Sequence, residues 1–225
     1  MSIEQNPDVI ARAAHHAALS DPARVRIVDL LTPGDLSPSE LQLALGMPSN
    51  LIAHHLRVLE DEGMVARHRS EADRRRSYIR LVPETFDGFR LARLAAPTRV
   101  LFVCTANSAR SQLASALWQK ASSIPVTSAG THPGADVAPG AIMAAQRHGL
   151  DFQGARPQLL ADVEDPGDLV ISVCDSAYEE LEGAAALHWS IPDPVRIGTD
   201  AAFDAAFDSL AERIGELVPR LTTSR

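Results

Sequence analysis

Cys104 and Arg110 stand six residues apart in "VLFVCTANSARSQLASAL" (Val100–Leu117), where an apolar run gives way to an amphipathic one. "RVLFVC" reads as a buried strand and "SQLASALWQKA" as a helix. Thr105, Ala106, Asn107, Ser108, Ala109, Arg110 and Ser111 are therefore expected to form a strand-to-helix loop. Backbone N–H groups at such a helix start converge on one point and make an anion site. Cys104 falls at the base of that cradle, where N–H dipoles and the Arg110 charge favour a thiolate over a thiol. Arg110 can also grip two oxygens of a tetrahedral oxyanion with its planar fork, which a lysine cannot do. The spacing predicts a nucleophile aimed at a bound oxyanion. Taken alone the pattern is short, and a buried core cysteine beside a surface arginine would satisfy it too.

The elements that position these residues occupy the second half of the chain. "SAGT" (Ser128–Thr131) follows a second strand, "DLVISVCD" gives a third ending at Cys174, and "HWSIPDPV" offers Asp193 and Pro194 after a further short strand. The first half reads differently. "SDPARVRIVDLL" offers Ser20 or Asp21 as a helix cap with Pro22 at the first helical position. "SPSELQLAL" repeats the signal as a Ser37–Glu40 capping box and ends at Gly46. "PSNLIAHHLRVLEDEG" then spaces Leu51, Ile52, Leu56 and Leu59 as a helix and stops at Gly63. "MVARHRSEADRRRSYIRLV" alternates at both ends around a charged middle, the pattern of a two-stranded wing. A last helix is expected over about Pro83–Ala95, and "AAPT" at 95–98 makes a short joint. The expectation is two domains, 1–97 mainly α with a winged helix-turn-helix and 98–225 α/β with a parallel sheet.

Composition sets the surroundings. Two cysteines in 225 residues cannot build a disulfide framework, and no apolar run nears the roughly 18 residues of a membrane span. The opening "MSIEQNPDVI" lacks the build of a signal peptide. A cytoplasmic location without membrane contact follows as an expectation, with thiols free for chemistry. Residues 1–97 carry 12 Arg and no Lys against 13 acids, whereas 98–225 carry 9 basic and 16 acidic residues. The first half is therefore no general basic nucleic-acid glue, but Arg74, Arg75 and Arg76 cluster in the wing, where they can meet phosphates. His15, His16 and His68 lack acidic partners at a suitable spacing, and no metal site is expected.

The first half resembles the ArsR-type winged-helix repressors over residues 10–90, through "ALSDPARVRIVDLL", "LSPSELQLALGMPSNLIAHHLRVLEDEGMV" and the arginine-rich wing. The resemblance implies a homodimer on operator DNA, with the helix from about Ser49 in the major groove. Ser49, Asn50, His54 and His55 would then lie near its exposed face and Arg57 toward phosphate. One departure matters. Many arsenic sensors of that family carry a thiol pair in the helix before the turn, whereas "ELQLALG" has none and no cysteine precedes Cys104. This half cannot sense arsenite through its own thiolates.

The second half resembles the low-molecular-weight protein tyrosine phosphatases across residues 99–221. The resemblance implies Cys104 as nucleophile, Asn107 as the loop-holding amide, Arg110 as the oxyanion clamp, Ser111 as the thiolate-supporting hydroxyl and Asp193 as general acid. It also makes Ser128 the hydroxyl that bonds the loop asparagine. "CTANSARSQLASALW" and "VISVCDSA" are similar to the arsenate reductases that use this fold, in which a second cysteine follows the third strand; Cys174 stands there. Phosphatases of the family usually place an aromatic after Asp-Pro, and this chain has Val195. Thioredoxin-coupled members carry a further cysteine that "CDSAYEELEGAAAL" lacks, which excludes an internal relay of three thiols. No bound cofactor is expected, and arsenate or phosphate is the expected oxyanion; either Cys174 resolves Cys104 and an external thiol reductant (mycothiol, glutathione or thioredoxin) opens that disulfide, or a small thiol such as mycothiol or glutathione attacks the Cys104–arsenate adduct directly. The alternatives are a phosphatase fused to a regulator, and a regulator whose oxyanion pocket senses without catalysis.

Overall fold

The computed structural model describes residues 7–86, 94–150, 152 and 155–222. The chain divides into two compact units, Met1–Ala92 and Arg93–Arg225.

In the first unit α1 (Pro7–Ala18) precedes three helices whose ends the sequence encodes. α2 (Pro22–Leu31) starts at Asp21, whose carboxylate accepts from the Ala23 N–H at 2.7 Å. α3 (Pro38–Leu45) starts on the Ser37–Glu40 capping box and stops at Gly46, which turns the chain at φ 63° into α4 (Ser49–Asp61). Strands β1 (Val65–Arg69) and β2 (Ser77–Leu81) pair antiparallel from Val65↔Leu81 to Arg69↔Ser77 as the wing. Ile52, Leu56 and Leu59 put one face of α4 into a core with Ile27, Leu41 and Ile79. Their burial leaves Ser49, Asn50, His54 and Arg57 exposed. His55 is a correction to the expected DNA-facing set. It lies about 100° around the helix from His54 and is buried, 5% exposed, with Nδ1 3.9 Å from the Asp21 carboxylate.

The expected helix over 83–95 is not what forms at its ends. Pro83–Phe86 is a single 3₁₀ turn, 87–93 lie outside the described residues, and Leu94–Ala95 is strand β3. β3 pairs in parallel with β8 (Leu221–Thr222), which draws it into the second unit ahead of the "AAPT" joint. Strand pairing has outweighed the local helical pattern there.

The second unit is built on a four-stranded parallel sheet in the order β5-β4-β6-β7: β5 is Val126–Gly130, β4 Arg99–Cys104, β6 Asp168–Ser172 and β7 Leu187–His188. Interior β4 is buried from Val100 to Cys104, which is why its run is apolar without alternation. Helices α5 (Arg110–Ala121), α6 (Pro139–Arg147), α7 (Leu160–Val163), α8 (Asp175–Glu180), α9 (Pro194–Ile197) and α10 (Asp200–Leu217) complete the unit. Phe102 packs on Trp118 of α5 at a ring distance of 5.8 Å and on Trp189 at 5.7 Å. Arg99 and Asp168 pin β4 to β6 through bonds of 2.6 and 2.7 Å, and the guanidinium holds the Asp168 carboxyl below its usual range.

Strand order places the site. The chain leaves β4 for β5 on one side and then crosses to β6 on the other, so the connections leaving β4 and β6 diverge. Such a switch opens a crevice at the carboxyl ends of the strands. Cys104 ends β4, and Cys174 follows two residues after the end of β6.

Candidate active site

The loop after β4 is shaped from both sides. Outside, its carbonyls are occupied: Cys104, Thr105, Ala106 and Ser108 accept from the N–H groups of Thr131, His132, Gly134 and Ala138 at 3.1, 2.8, 2.8 and 2.8 Å. Inside, Asn107 donates its backbone N–H to Cys104 Sγ at 3.2 Å, and Ser111 Oγ lies 3.1 Å from the same sulfur. Ser111 Oγ accepts from Asn107 Nδ2 at 2.8 Å, which leaves its own proton to point at the sulfur. Two donors therefore address Sγ, an arrangement that stabilises charge on it.

Asn107 sets this geometry. It sits at φ 48°, a left-handed conformation that asparagine tolerates better than most residues. Its amide is fully engaged: Nδ2 also donates to Ser128 Oγ at 3.0 Å, and Oδ1 accepts from Gln112 Nε2 at 3.1 Å and the Gln158 N–H at 2.9 Å. Asn107, Ser111 and Ser128 are thus joined by side-chain hydrogen bonds around the sulfur. Gln112 and Gln158 carry no signal of this role in the sequence. A glutamine in the first turns of a helix or in a loop reads as solvated surface, and nothing in the pattern singles out the buried Gln112.

Gly130 was also missed, though a glycine at a strand end signals close backbone approach. A Cβ there would stand 2.6 Å from the Thr105 carbonyl oxygen and 3.0 Å from the Asn107 nitrogen. Gly130→Ala must displace the loop, and because a misplacement near 1 Å costs about 10²-fold in rate, activity should fall by about that factor or more in steady-state assays. Unchanged turnover would show that the loop geometry is not what sets the rate.

Arg110 and Asp193 close the crevice. Arg110 is 11% exposed, donates Nη1 to the Ile191 carbonyl at 2.9 Å and places Nη2 3.3 Å from Asp193 Oδ2. Asp193 caps α9 by accepting from the Val195 N–H at 3.1 Å, next to buried Pro194. Val195 itself is 46% exposed. The fold therefore brings Asp193 to Arg110 across 83 residues of sequence.

Cys174 is not a strand residue: β6 ends at Ser172, and the thiol caps α8, accepting from the Ala177 N–H at 3.4 Å. Thr105 Oγ1 of the loop after β4 lies 3.5 Å from Cys174 Sγ. Burial pushes the Cys174 thiol up, and the Arg110 charge works against that rise. Behind it, His188 contacts Asp175 at 3.1 Å and stacks on Tyr178 at 4.1 Å, fixing α8 to the sheet.

In the first unit the remaining DNA-facing candidates are exposed, Ser49, Asn50, His54 and Arg57 on α4 and Arg74, Arg75 and Arg76 in the wing turn. Arg75 is engaged by Asp73 through bonds of 3.0 and 3.1 Å. Among the described residues no group of three or more His, Cys, Asp or Glu is placed to hold a metal ion, and no helix is long and apolar enough to cross a membrane.

Comparison with known proteins follows these divisions. Residues 99–225 match the family described as Low molecular weight phosphotyrosine protein phosphatase, and residues 19–68 match a helix-turn-helix domain. The transcriptional repressor SdpR of Bacillus subtilis (strain 168) is 35% identical over 52 residues, which are 23% of this chain and 58% of SdpR. This chain thus spans little more than half the length of that relative. Among solved structures, the tyrosine phosphatase Wzb from Escherichia coli K30 in complex with sulphate is 25% identical, with a TM-score of 0.50, over 56% of this chain and 99% of Wzb. An arsenate reductase from Archaeoglobus fulgidus DSM 4304 is 26% identical, with a TM-score of 0.45, over 53% of this chain and 98% of that one.

Proposed function

From the premise that the chain belongs, through residues 99–225, to the family of low molecular weight phosphotyrosine protein phosphatases, we propose that this unit is a thiol-dependent arsenate reductase joined to a DNA-binding regulator. The observation that carries this reading is Cys174. A second thiol at the switch crevice, 3.5 Å from the catalytic loop's Thr105, has no task in phosphate ester hydrolysis and a clear one in arsenate reduction. Val195, with no ring to stack on a phosphotyrosine, supports a small anion.

The chemistry runs on this chain's own groups. Arsenate enters the loop, where N–H donors and Arg110 take its oxygens. The Cys104 thiolate attacks As(V), and one oxygen leaves as water with a proton from Asp193. A second thiolate then attacks Cys104 Sγ; a disulfide forms, the S–As bond breaks, and its electron pair stays on arsenic, which departs as arsenite. Two thiols are oxidised by two electrons and As(V) becomes As(III). Cys174 supplies that second thiol, and mycothiol, glutathione or thioredoxin reopens the disulfide.

Because burial raises the Cys174 pKa above its ordinary value near 9.0, the thiol form prevails at neutral pH and the thiolate fraction grows about tenfold per unit as pH rises toward that value. Without external thiol, release of arsenite from the Cys104 adduct should accelerate in that proportion between about pH 7 and 9. Cys174→Ser should trap the adduct, seen as an added arsenic mass on the peptide holding Cys104. Turnover with thioredoxin as sole donor that is untouched by Cys174→Ser would remove the resolving role.

The Wzb likeness favours a second reading, phosphomonoester hydrolysis, since the same cradle and acid serve attack on phosphorus. Phosphate release from aryl phosphate without arsenite formation from arsenate would select it. For the first unit, the exposed face of α4 and the wing support operator binding, and the homodimer is proposed from the repressor resemblance alone.

A further inference from the structure

On the outer edge of β5 lies a cleft of about 610 Å³, within the size range of small-molecule sites. None of Cys104, Arg110, Cys174 and Asp193 lines it. Its lining is unbalanced in charge: Arg156 is the one ionisable side chain, and no carboxylate faces it among the described residues. Arg156 is exposed and enters no ion pair among those residues, while Arg99, Arg110 and Arg147 of the same unit are each paired. Phe152 and Val126 add apolar faces, and the amides of Gln112 and Gln119 add polar ones.

We propose that this cleft binds a small aromatic acid, its carboxylate or phosphate held by the Arg156 guanidinium and its ring laid against Phe152. A planar fork suits either anion, and no acid stands on the lining among the described residues. An aromatic face on the same lining as a guanidinium fits a ligand that is flat at one end and charged at the other.

The site backs onto the catalytic loop. Gln112 Nε2 donates both to Asn107 Oδ1 and to the Arg156 carbonyl, each at 3.1 Å. Gln158, also on the lining, gives its N–H to Asn107 Oδ1 and its side-chain amide to the Ser128 carbonyl at 3.2 Å. A ligand that moves residues 156–158 therefore moves the partners of Asn107. This holds whichever reaction Cys104 performs.

Isotope-labelled full-length protein titrated separately with naphthoate and with adenosine monophosphate tests the proposal by NMR. The amides of Ala116, Val126 and Gln158 should shift with a Kd below about 1 mM, the Asn107 side-chain amide should follow the same curve, and Arg156→Glu should weaken binding at least about tenfold. Response to both probes assigns the shared chemistry; response to one alone supports the site and names its source, aromatic carboxylates or nucleotides. No cleft shifts with either probe up to about 10 mM, shifts confined to the Cys104 loop, or shifts unchanged by Arg156→Glu would each overturn it.

Discussion

Cys104→Ser is expected to abolish arsenate reduction and any phosphomonoester hydrolysis, by at least about 10⁴-fold, while the unit stays folded. In the proposed mechanism the sulfur is the attacking atom in both reactions, and two donors, the Asn107 N–H and the Ser111 hydroxyl, are aimed at it. A serine hydroxyl keeps the volume and can bond the same partners, but it does not ionise near neutral pH, and neither of those partners is a base that could take its proton. Arsenite formation and aryl phosphate hydrolysis should both vanish with unchanged thermal unfolding. Turnover within about tenfold of the unaltered protein would show that another group is the nucleophile.

The second large effect concerns the first unit. Arg74, Arg75 and Arg76 are exposed in the turn between β1 and β2, where side chains of a wing meet phosphates. Each phosphate contact contributes about 0.9 to the slope of log affinity against log salt. Replacing all three by Ala should therefore flatten the slope by about 2 to 3 per subunit and weaken binding at every sequence alike. The lower figure is the better expectation, because Arg75 already bonds Asp73 at both guanidinium edges and must leave it to reach DNA. Fluorescence anisotropy with operator and with unrelated duplex, over a range of salt, measures both quantities. An unchanged slope would place the wing away from the backbone.

How far the sequence discloses this protein depends on whether a signal is local. Helix caps are local, and Asp21, Ser37 with Glu40, and Gly46 each act where they stand in the sequence. The apolar run of β4 and the thiol-to-guanidinium spacing are equally local, so the strand, the loop and its anion cradle are legible in the residues themselves. Partners separated by folding are not. Nothing near Asn107 announces that Gln158, 51 residues on, will give it an N–H, nor that Gln112 will be buried to do the same. His55 failed for a related reason: two adjacent histidines look alike on paper, but one turn angle sends His55 inward toward Asp21 and leaves His54 outside. At 94–95 the helical pattern gave way to pairing with residues 221–222, a contact that no window of sequence contains.

The proposed function requires that Cys104 and Cys174 together reduce arsenate. It is tested most directly by mixing fully reduced protein with excess arsenate, without any external thiol, and measuring arsenic speciation alongside free thiols. About one arsenite released per chain, loss of both thiols and a Cys104–Cys174 disulfide in the peptide map are expected, with further arsenite only when a thiol donor is added. Both thiols intact and no arsenite, from protein that hydrolyses aryl phosphate under the same conditions, would contradict it.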